Sequence, residues 1–294
     1  MKAPARAPAE LAYAATLAAV VEASAAKPGN VGPEHDFGDM GYEDFLRSAV
    51  AIGPALGDAG LADGIGTTVL RAIQDTRRHV AANTNLGIVL LFAPLARAAA
   101  TGGGSLRSRL RRVLAATTRG DAERVYAAIR LAGPGGLGEA PEQDVRQPPT
   151  VTLREAMALA AERDAIAREY VTDYSITFET GLPALARALE AGASLRAAAT
   201  EAFLTILGRV PDTLIARKCG AGTAQRVSRG AAGVLTAGPP GSAARARALA
   251  ELDTMLRDPA NAMNPGTTAD LTAAVVFVRL LEQDLLEQDL SEQE

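Results

Sequence analysis

Aromatic side chains and cysteines are scarce in this 294-residue sequence. Aromatic residues make up 4% of the chain, and tryptophan is absent. This scarcity argues against surfaces that recognise nucleic-acid bases by stacking. The single cysteine, Cys219, cannot form an internal disulfide and lacks the companions that a structural zinc site needs. The cysteine content is therefore typical of a protein from a reducing compartment.

An excess of positive charge is also missing. The chain has 30 Lys and Arg residues against 34 Asp and Glu residues, which argues against a nucleic-acid partner. No stretch reaches the roughly 18 uncharged apolar residues that a membrane span requires. The apolar run from Leu11 to Val21 is similar to a signal peptide, but Glu10 and Glu22 bracket it. We therefore expect a cytoplasmic protein with no membrane partner.

The strongest pattern in the sequence is helical. Apolar residues recur at three- and four-residue spacing, as at Leu153, Met157 and Ala160, and strict alternation is almost absent. Thr152 and Glu155 have the spacing of a capping box that opens a helix. The pattern predicts an all-α protein. The predicted helical runs cover about 9–26, 41–56, 66–80, 84–100, 105–117, 121–132, 152–172, 183–191, 195–208, 211–235, 242–257 and 267–287.

The Gly- and Pro-rich stretch 133–149 is the best candidate for a domain boundary, but both of its flanks are helical. We therefore expect one compact multi-helix domain over 1–294, with an active cleft between helices and 133–149 as a surface loop. Gly133, Gly135 and Gly138 have the spacing of a dinucleotide-binding loop, but no predicted strand precedes them. A homodimer is left open by the sequence.

The first polar cluster lies between the first two predicted helices. Lys27-Pro28-Gly29-Asn30 contains a sharp turn, and Asp36 and Asp39 follow it. A lysine and two carboxylates on one loop suit a phosphate chain with its Mg²⁺. The alternative is purely structural, with Asp39 as the N-cap of the next helix.

Two more clusters lie at predicted helix ends. Asn83, Thr84 and Asn85 precede an apolar helix, where they either cap it or bind an anion. Arg217 and Lys218 come shortly before Gly220, where they either recognise an oxyanion or offset a helix C-terminal dipole. Asp212 lies five residues before Arg217.

The fourth cluster is Asn264-Pro265-Gly266-Thr267-Thr268, followed by Asp270. We expect Thr267 or Thr268 to cap the last helix and Asp270 to lie in its first turn. Threonine hydroxyls, free backbone N–H groups and a carboxylate at one helix start suit a metal-bound phosphate. We therefore predict that nucleotide binding needs Mg²⁺ and depends on Asp270.

In this order, the clusters resemble the motifs of the triphosphoribosyl-dephospho-CoA synthase family over about residues 10–285. Family members carry Lys-Pro-Gly, Asp-Met, Asn-Thr-His-Lys-Gly, an Asp-Thr-Asn element ending in Arg-Gly-Gly, and Ser-Pro-Gly-Gly-Ser-Ala-Asp-Leu. The matching segments here are 27–29, 39–40, 83–87, 212–220 and 264–271.

The resemblance implies a transferase of coenzyme biosynthesis that acts on ATP and dephospho-CoA with Mg²⁺. A ribose hydroxyl of dephospho-CoA would displace adenine from C1′ of ATP through an oxocarbenium-like state, leaving the triphosphate on the transferred sugar. The catalytic candidates are Asp39, Asp212 and Asp270, and the candidate metal ligands are Asp36, Asp39 and Asp270. The candidate nucleotide and phosphate ligands are Lys27, Asn30, Asn83, Thr84, Arg217, Lys218, Thr267 and Thr268.

This sequence departs from the family motifs at three positions. Asn85 and Leu86 stand where the family has His-Lys, and Leu214 stands where it has the Asn after Asp-Thr. The departures favour a divergent branch, and they keep two alternatives open. One is a related Mg²⁺-nucleotide enzyme of the one-carbon or pterin type with another acceptor, and the other is a non-catalytic helical scaffold. An enzyme requires that the four clusters converge on one cleft, with Lys27 and Asp270 on the same side.

Overall fold

The computed structural model describes residues 5–135, 138, 140–258 and 260–283. Within these residues the chain is helical, and the only extended pairing is an isolated bridge between Gly32 and His35. The prediction of an all-α protein is therefore confirmed. The α-helices are α1 (Pro8–Ser24), α2 (Tyr42–Gly57), α3 (Gly64–Arg77), α4 (Leu86–Ala99), α5 (Leu106–Ala115), α6 (Arg119–Ala132), α7 (Leu153–Ala160), α8 (Ala165–Thr172), α9 (Leu182–Glu190), α10 (Leu195–Arg209), α11 (Thr213–Cys219), α12 (Ala221–Thr236), α13 (Ala243–Leu256) and α14 (Gly266–Glu282).

The helical runs predicted from the sequence differ from these helices at a few breaks. The run 152–172 is two helices. Asp164 is the N-cap of α8 and accepts hydrogen bonds from Ile166 N and Ala167 N, so a new helix begins after it. The run 211–235 breaks at Gly220, where φ is +84°. A six-residue π-helix at Ile176–Gly181 was not predicted. The described residues of 133–149 are non-helical, as expected.

Two helices, α4 and α14, form the centre of the core. Most residues of both helices are buried, so each is covered by neighbours on nearly all sides. Phe92 of α4 stacks on Phe277 of α14, with 4.3 Å between the ring centroids. Helices α1 and α10 also pack against α14. None of the helices in the described part of the chain is long and apolar enough to cross a membrane.

A smaller apolar cluster joins α10 to α11, α12 and α13. Phe203 and Leu207 of α10 pack there with Ile215 of α11 and Val227 of α12. Cys219 packs against the same cluster, which agrees with its interpretation as a packing residue. This cluster places α11 and α13 beside the start of α14.

The central helix α4 contains a proline that is compensated by a buried tyrosine. Pro94 has no N–H, so the carbonyl of Leu90 loses its usual helical donor. The hydroxyl of Tyr170 on α8 donates to that carbonyl at 2.7 Å. Tyr174 donates in the same way to the carbonyl of Leu91 at 2.9 Å. These two hydrogen bonds fix α8 against the middle of α4.

We expect Tyr170→Phe to lower the free energy of unfolding by about 1–3 kcal/mol, because the buried Leu90 carbonyl would lose its donor. Tyr13→Phe is the matched control, since Tyr13 is 58% exposed and should tolerate the same change within about 0.5 kcal/mol. Urea denaturation of both variants measures the difference. Equal effects of the two changes would contradict this role for Tyr170.

Candidate active site

One large cleft gathers residues from all four polar clusters. Its volume is about 1140 Å³, and Lys27, Asn83, Lys218 and Asp270 all line it. Lys27 and Asp270 therefore face the same space, which confirms the prediction that the clusters converge. The candidate ligands in the lining are Lys27, Asn30, Asp39, Asn83, Thr84, Arg217, Lys218, Thr267 and Asp270.

Three helix N-termini open onto this cleft. The first residues of α4, α8 and α14 contribute to its wall, among them Gly87, Ile166 and Thr267. A helix N-terminus carries unpaired N–H groups and a partial positive charge, so it favours anions. At the start of α8 the N–H groups of residues 165–167 are already bound by Thr213 and Asp164. The starts of α4 and α14 are therefore the ones that suit an anion such as a phosphate chain.

Hydrogen bonds of threonine hydroxyls connect the starts of α8, α11 and α14. Thr213 Oγ1 at the start of α11 accepts a hydrogen bond from Ala165 N of α8 at 3.2 Å. The same hydroxyl donates to Thr267 Oγ1 of α14 at 3.3 Å. Thr267 therefore lines the cleft and also belongs to the hydrogen-bond network that connects the starts of α8, α11 and α14.

Asp212 lies beneath the cleft rather than in its wall. Its Oδ1 accepts from Leu214 N and Ile215 N at 2.9 and 3.0 Å, which caps α11. Its Oδ2 accepts from the backbone N and the hydroxyl of Thr268 at 2.7 and 2.8 Å. With both oxygens occupied and the side chain 2% exposed, Asp212 is not available to a ligand. The structure thus corrects the catalytic assignment of Asp212 and the phosphate-binding assignment of Thr268, because each is the other's partner.

Lys27 forms a buried ion pair. Its Nζ lies 2.9 Å from Glu22 Oε1, and the two side chains are 2% and 3% exposed. It also donates to the backbone carbonyl of Glu22. Because Glu22 compensates its charge, Lys27 cannot be the main source of positive charge for a phosphate chain. Both residues nevertheless line the cleft.

Helix α13 fixes the loop that carries Lys27. The Asp253 carboxylate accepts from Gly29 N at 2.8 Å, and Arg257 donates to the carbonyl of Asn30 at 3.3 Å. Gly29 has a φ of +75°, and a Cβ there would lie 2.7 Å from Leu256 Cβ. Only glycine fits this close approach, so the turn after Lys27 is held rigidly.

Asp270 faces the cleft without a partner. It makes no hydrogen bond or ion pair with any residue that the structure describes. It packs on the first turn of α4, where a Cβ on Gly87 would overlap with Asp270 Oδ2. Asp270 is the fifth residue of α14, so it lies in the second turn. The expected position in the first turn is wrong because α14 begins at Gly266 and Asp212, not Thr267 or Thr268, supplies the cap.

The environment of Asp270 favours its neutral form. Burial raises the pKa of Asp270 well above its usual range. The carboxylates of Glu22, Asp212 and Asp164 raise it further, and Arg217 acts in the opposite direction. In the ligand-free cleft, an ionised Asp270 would therefore carry a negative charge that the surrounding side chains do not fully compensate.

The two cations of α11 differ in their pairing. Arg217 Nη1 lies 2.8 Å from Asp164 Oδ2, in an ion pair between α11 and α8. Lys218 is exposed and donates to the amide oxygen of Asn264 at 3.2 Å. Lys218 thus lines the cleft between the third and fourth clusters, with no carboxylate partner among the described residues.

The remaining predicted ligands lie in or near the cleft wall, and most of them make hydrogen bonds to other parts of the protein. The amide oxygen of Asn83 accepts from Leu86 N at 3.2 Å, and the hydroxyl of Thr84 lies 2.5 Å from that of Ser48. Asp39 is exposed in the wall and is not the N-cap of α2, which is Gly41. Asp36 is outside the wall and accepts from Tyr42 N at 2.6 Å, so its assignment as a metal ligand stays a prediction.

The donor set fits a phosphate-bound Mg²⁺ better than a metal held by protein alone. Among the described residues, no three His, Cys, Asp or Glu side chains are grouped as metal ligands. Mg²⁺ commonly uses one or two carboxylates and takes its other oxygens from phosphates and water. The unpartnered Asp270, beside Glu22, has the negative charge that such an ion would compensate.

Two residues that line the cleft, Glu22 and Asp164, were not predicted from the sequence, although a local pattern indicated each of them. Glu22 continues the buried stripe Leu11, Ala15, Ala18 of α1, so a charged residue on that face required a partner. Asp164 directly precedes α8 and has the position of an N-cap.

We expect Asp270→Asn to stabilise the ligand-free protein at pH 7 by on the order of 1 kcal/mol. Because the pKa is higher in the folded than in the unfolded chain, ionisation favours unfolding. The wild type should therefore lose stability relative to the variant as the pH rises from about 4, the unfolded value, to 7. Thermal unfolding between pH 4 and 7 measures this change.

The matched control is Asp63→Asn, because the Asp63 side chain is 95% exposed. It should show no such pH-dependent gain. If Asp270→Asn were instead less stable than the wild type at pH 7, Asp270 would be a stabilising helix residue rather than an uncompensated charge in a ligand site.

Known proteins similar to this chain agree on one family. The family model described as ATP:dephospho-CoA triphosphoribosyl transferase matches residues 8–289. A solved structure from Archaeoglobus fulgidus, named as a candidate triphosphoribosyl-dephospho-CoA synthase, has a TM-score of 0.63 and 30% identity. The likeness covers 81% of this chain and 98% of that one.

Curated relatives match over a shorter part of their length. The protein from Pseudomonas syringae pv. tomato named "Probable 2-(5''-triphosphoribosyl)-3'-dephosphocoenzyme-A synthase" is 38% identical over 104 residues, 35% of either chain. One of the same name from Pseudomonas paraeruginosa is 39% identical over 98 residues, 33% of either chain. The matched segments thus span about a third of these relatives. Because the family model matches nearly the whole sequence, the chain belongs to the ATP:dephospho-CoA triphosphoribosyl transferase family.

Proposed function

We propose that the protein transfers the triphosphoribosyl group of ATP to dephospho-CoA and releases adenine. The observation that carries this proposal is the cleft itself, which is lined by the starts of α4 and α14, by Lys218 and by the unpartnered carboxyl group of Asp270. A site of this kind offers separate places for a phosphate chain and for a developing positive charge. The family and its named relatives supply the two substrates.

The proposed reaction is a substitution at C1′ of the ATP ribose. The bond from C1′ to the adenine nitrogen breaks, and adenine leaves with the electron pair and takes up a proton. A ribose hydroxyl of dephospho-CoA forms the new bond to C1′ and loses its proton. The triphosphate stays on the transferred sugar, so no phosphoanhydride bond is broken.

The residues of the cleft divide between the two ends of the nucleotide. The helix N-termini of α4 and α14, with Lys218, suit the triphosphate. A carboxylate that faces C1′ stabilises the oxocarbenium-like transition state by charge. Asp270 is the best candidate for that position, and exposed Asp39 at the rim is the candidate for accepting a proton from the incoming hydroxyl.

The phosphates and Asp270 would repel one another without a cation between them. Mg²⁺ held mainly by the phosphates, with the carboxyl groups of Asp270 and Glu22 nearby, would offset this repulsion. Its contribution would be to neutralise the triphosphate while the C1′ bond breaks. Lys218 and the ion pair of Arg217 with Asp164 would then hold the phosphates in place.

A second candidate keeps the nucleotide site and changes the acceptor. Leu86 and Leu214 both line the cleft, at positions where the family motifs carry Lys and Asn. Two hydrocarbon side chains in place of a cation and an amide give this wall less affinity for charged or hydrogen-bonding groups. An acceptor that is less polar at this point would fit the same site.

The test is chromatography of ATP incubated with the protein, Mg²⁺ and dephospho-CoA. We expect adenine to appear only when acceptor and Mg²⁺ are both present, and EDTA to abolish its release. Asp270→Asn should lower the rate on the order of a hundredfold or more, because it removes a charge that acts in the transition state. Asp63→Asn, the exposed control, should leave the rate unchanged.

Other products would decide between the alternatives. Formation of ADP or AMP would contradict transfer from C1′ and favour another ATP-using reaction. Adenine released with a different acceptor, but not with dephospho-CoA, would support the second candidate. ATP that stays intact with every acceptor would contradict an enzymatic role and leave the helical scaffold.

A further inference from the structure

The cleft has a second wall of different chemistry. Apolar residues of α6 and α7 line it, including Ile129, Leu131, Met157 and Leu159. Leu131 and Leu159 remain 40% and 45% exposed, although large apolar side chains are usually covered. The polar groups described above come from other segments, namely α1, α11, α14 and the loops that precede α2, α4 and α8. We name the surface formed by Ile129, Leu131, Met157 and Leu159 the apolar wall.

The cleft is too large for a nucleotide alone. Pockets for single small molecules have volumes of about 300–1,000 Å³, and this cleft has about 1140 Å³. A nucleotide placed on the helix N-termini would leave the apolar wall in contact with water. The cleft therefore has room for a second ligand, and the apolar wall suits one with an apolar part.

Uncompensated positive charge accompanies the apolar wall. Arg163, three residues after α7, lines the cleft and is exposed. Its guanidinium has no hydrogen-bond or ion-pair partner among the described residues. Next to it, Asp164 is already paired with Arg217. Arg163 is thus free to bind an anionic group beside the apolar wall.

We propose that the apolar wall and Arg163 bind the pantetheine arm of the acceptor and the phosphate group to which this arm is attached. The assignment rests on the proposed function, because it takes dephospho-CoA as the second substrate. The arm is a long, largely aliphatic chain with two amides, and it joins the nucleotide through a diphosphate. An apolar surface next to an unpaired arginine complements that order of groups.

The proposed reaction also determines where the arm lies relative to C1′ of ATP. The attacking hydroxyl is on the ribose of dephospho-CoA, so that ribose must lie beside C1′ of ATP. The diphosphate and then the arm extend away from it. They reach a part of the cleft that the ATP phosphates do not occupy, which is where the apolar wall lies.

The test is calorimetric titration with 4′-phosphopantetheine, a probe that carries the arm and one phosphate but no nucleotide. Leu159→Glu should weaken its binding about tenfold or more, because a carboxylate would oppose both the apolar chain and the phosphate. Leu61→Glu is the matched control, since Leu61 is 80% exposed outside the cleft. It should bind as the wild type does. Arg163→Gln should also weaken binding, and this exposed substitution should leave the fold intact.

Kinetic constants separate this inference from the proposed function. We expect Leu159→Glu to raise the KM for dephospho-CoA and to leave the KM for ATP unchanged. Absence of probe binding to the wild type, or equal binding to wild type, Leu159→Glu and Arg163→Gln, would overturn the assignment of the arm even if adenine is released. Absence of adenine release, with probe binding that depends on Leu159, would overturn the proposed reaction and support an arm-binding wall.

Discussion

The architecture of the cleft depends on the buried carboxylate of Asp212. Its four accepted hydrogen bonds come from the starts of two helices, α11 and α14. Helix α11 carries Lys218, and α14 carries Asp270, so this single side chain fixes the distance between a cation and the unpartnered carboxylate. A buried charge is tolerated only when donors satisfy it, and here four of them do. Loss of these hydrogen bonds would let α11 and α14 move apart, and Lys218 and Asp270 would move with them.

The cleft combines features that are unfavourable without a ligand. Helix N-termini attract anions, but Asp270 and Glu22 add negative charge to the same space. Glu22 is balanced by Lys27, whereas Asp270 has no comparable partner in the described chain. Such uncompensated charge costs stability and is common where binding or catalysis requires it. A phosphate chain with its Mg²⁺ supplies both missing charges, which explains why one cleft contains both kinds of group.

The sequence predicted the fold class and the membership of the cleft better than the roles within it. Helical spacing and caps are local signals, so the all-α fold could be predicted. The roles of Asp212 and Asp270 could not, because a carboxylate near a helix start has the same appearance in the sequence whether it stabilises that helix or binds a ligand. The decisive fact is that Asp212 reaches Thr268, 56 residues away, and only tertiary structure shows this. The π-helix at Ile176–Gly181 was also missed, because its first two N–H groups are bound by the buried carboxyl group of Glu169, and the sequence pattern does not show this contact.

The central claim is that ATP lies across this cleft, with its phosphates at the helix N-termini and C1′ towards Asp270. A crystal structure with ATP and Mg²⁺ tests it most directly. We predict phosphate oxygens within hydrogen-bond distance of Lys218 and of the first N–H groups of α4 or α14, with the ribose next to Asp270. A nucleotide bound outside the cleft, or one with its base at the helix N-termini and its phosphates along Leu131 and Leu159, would contradict it.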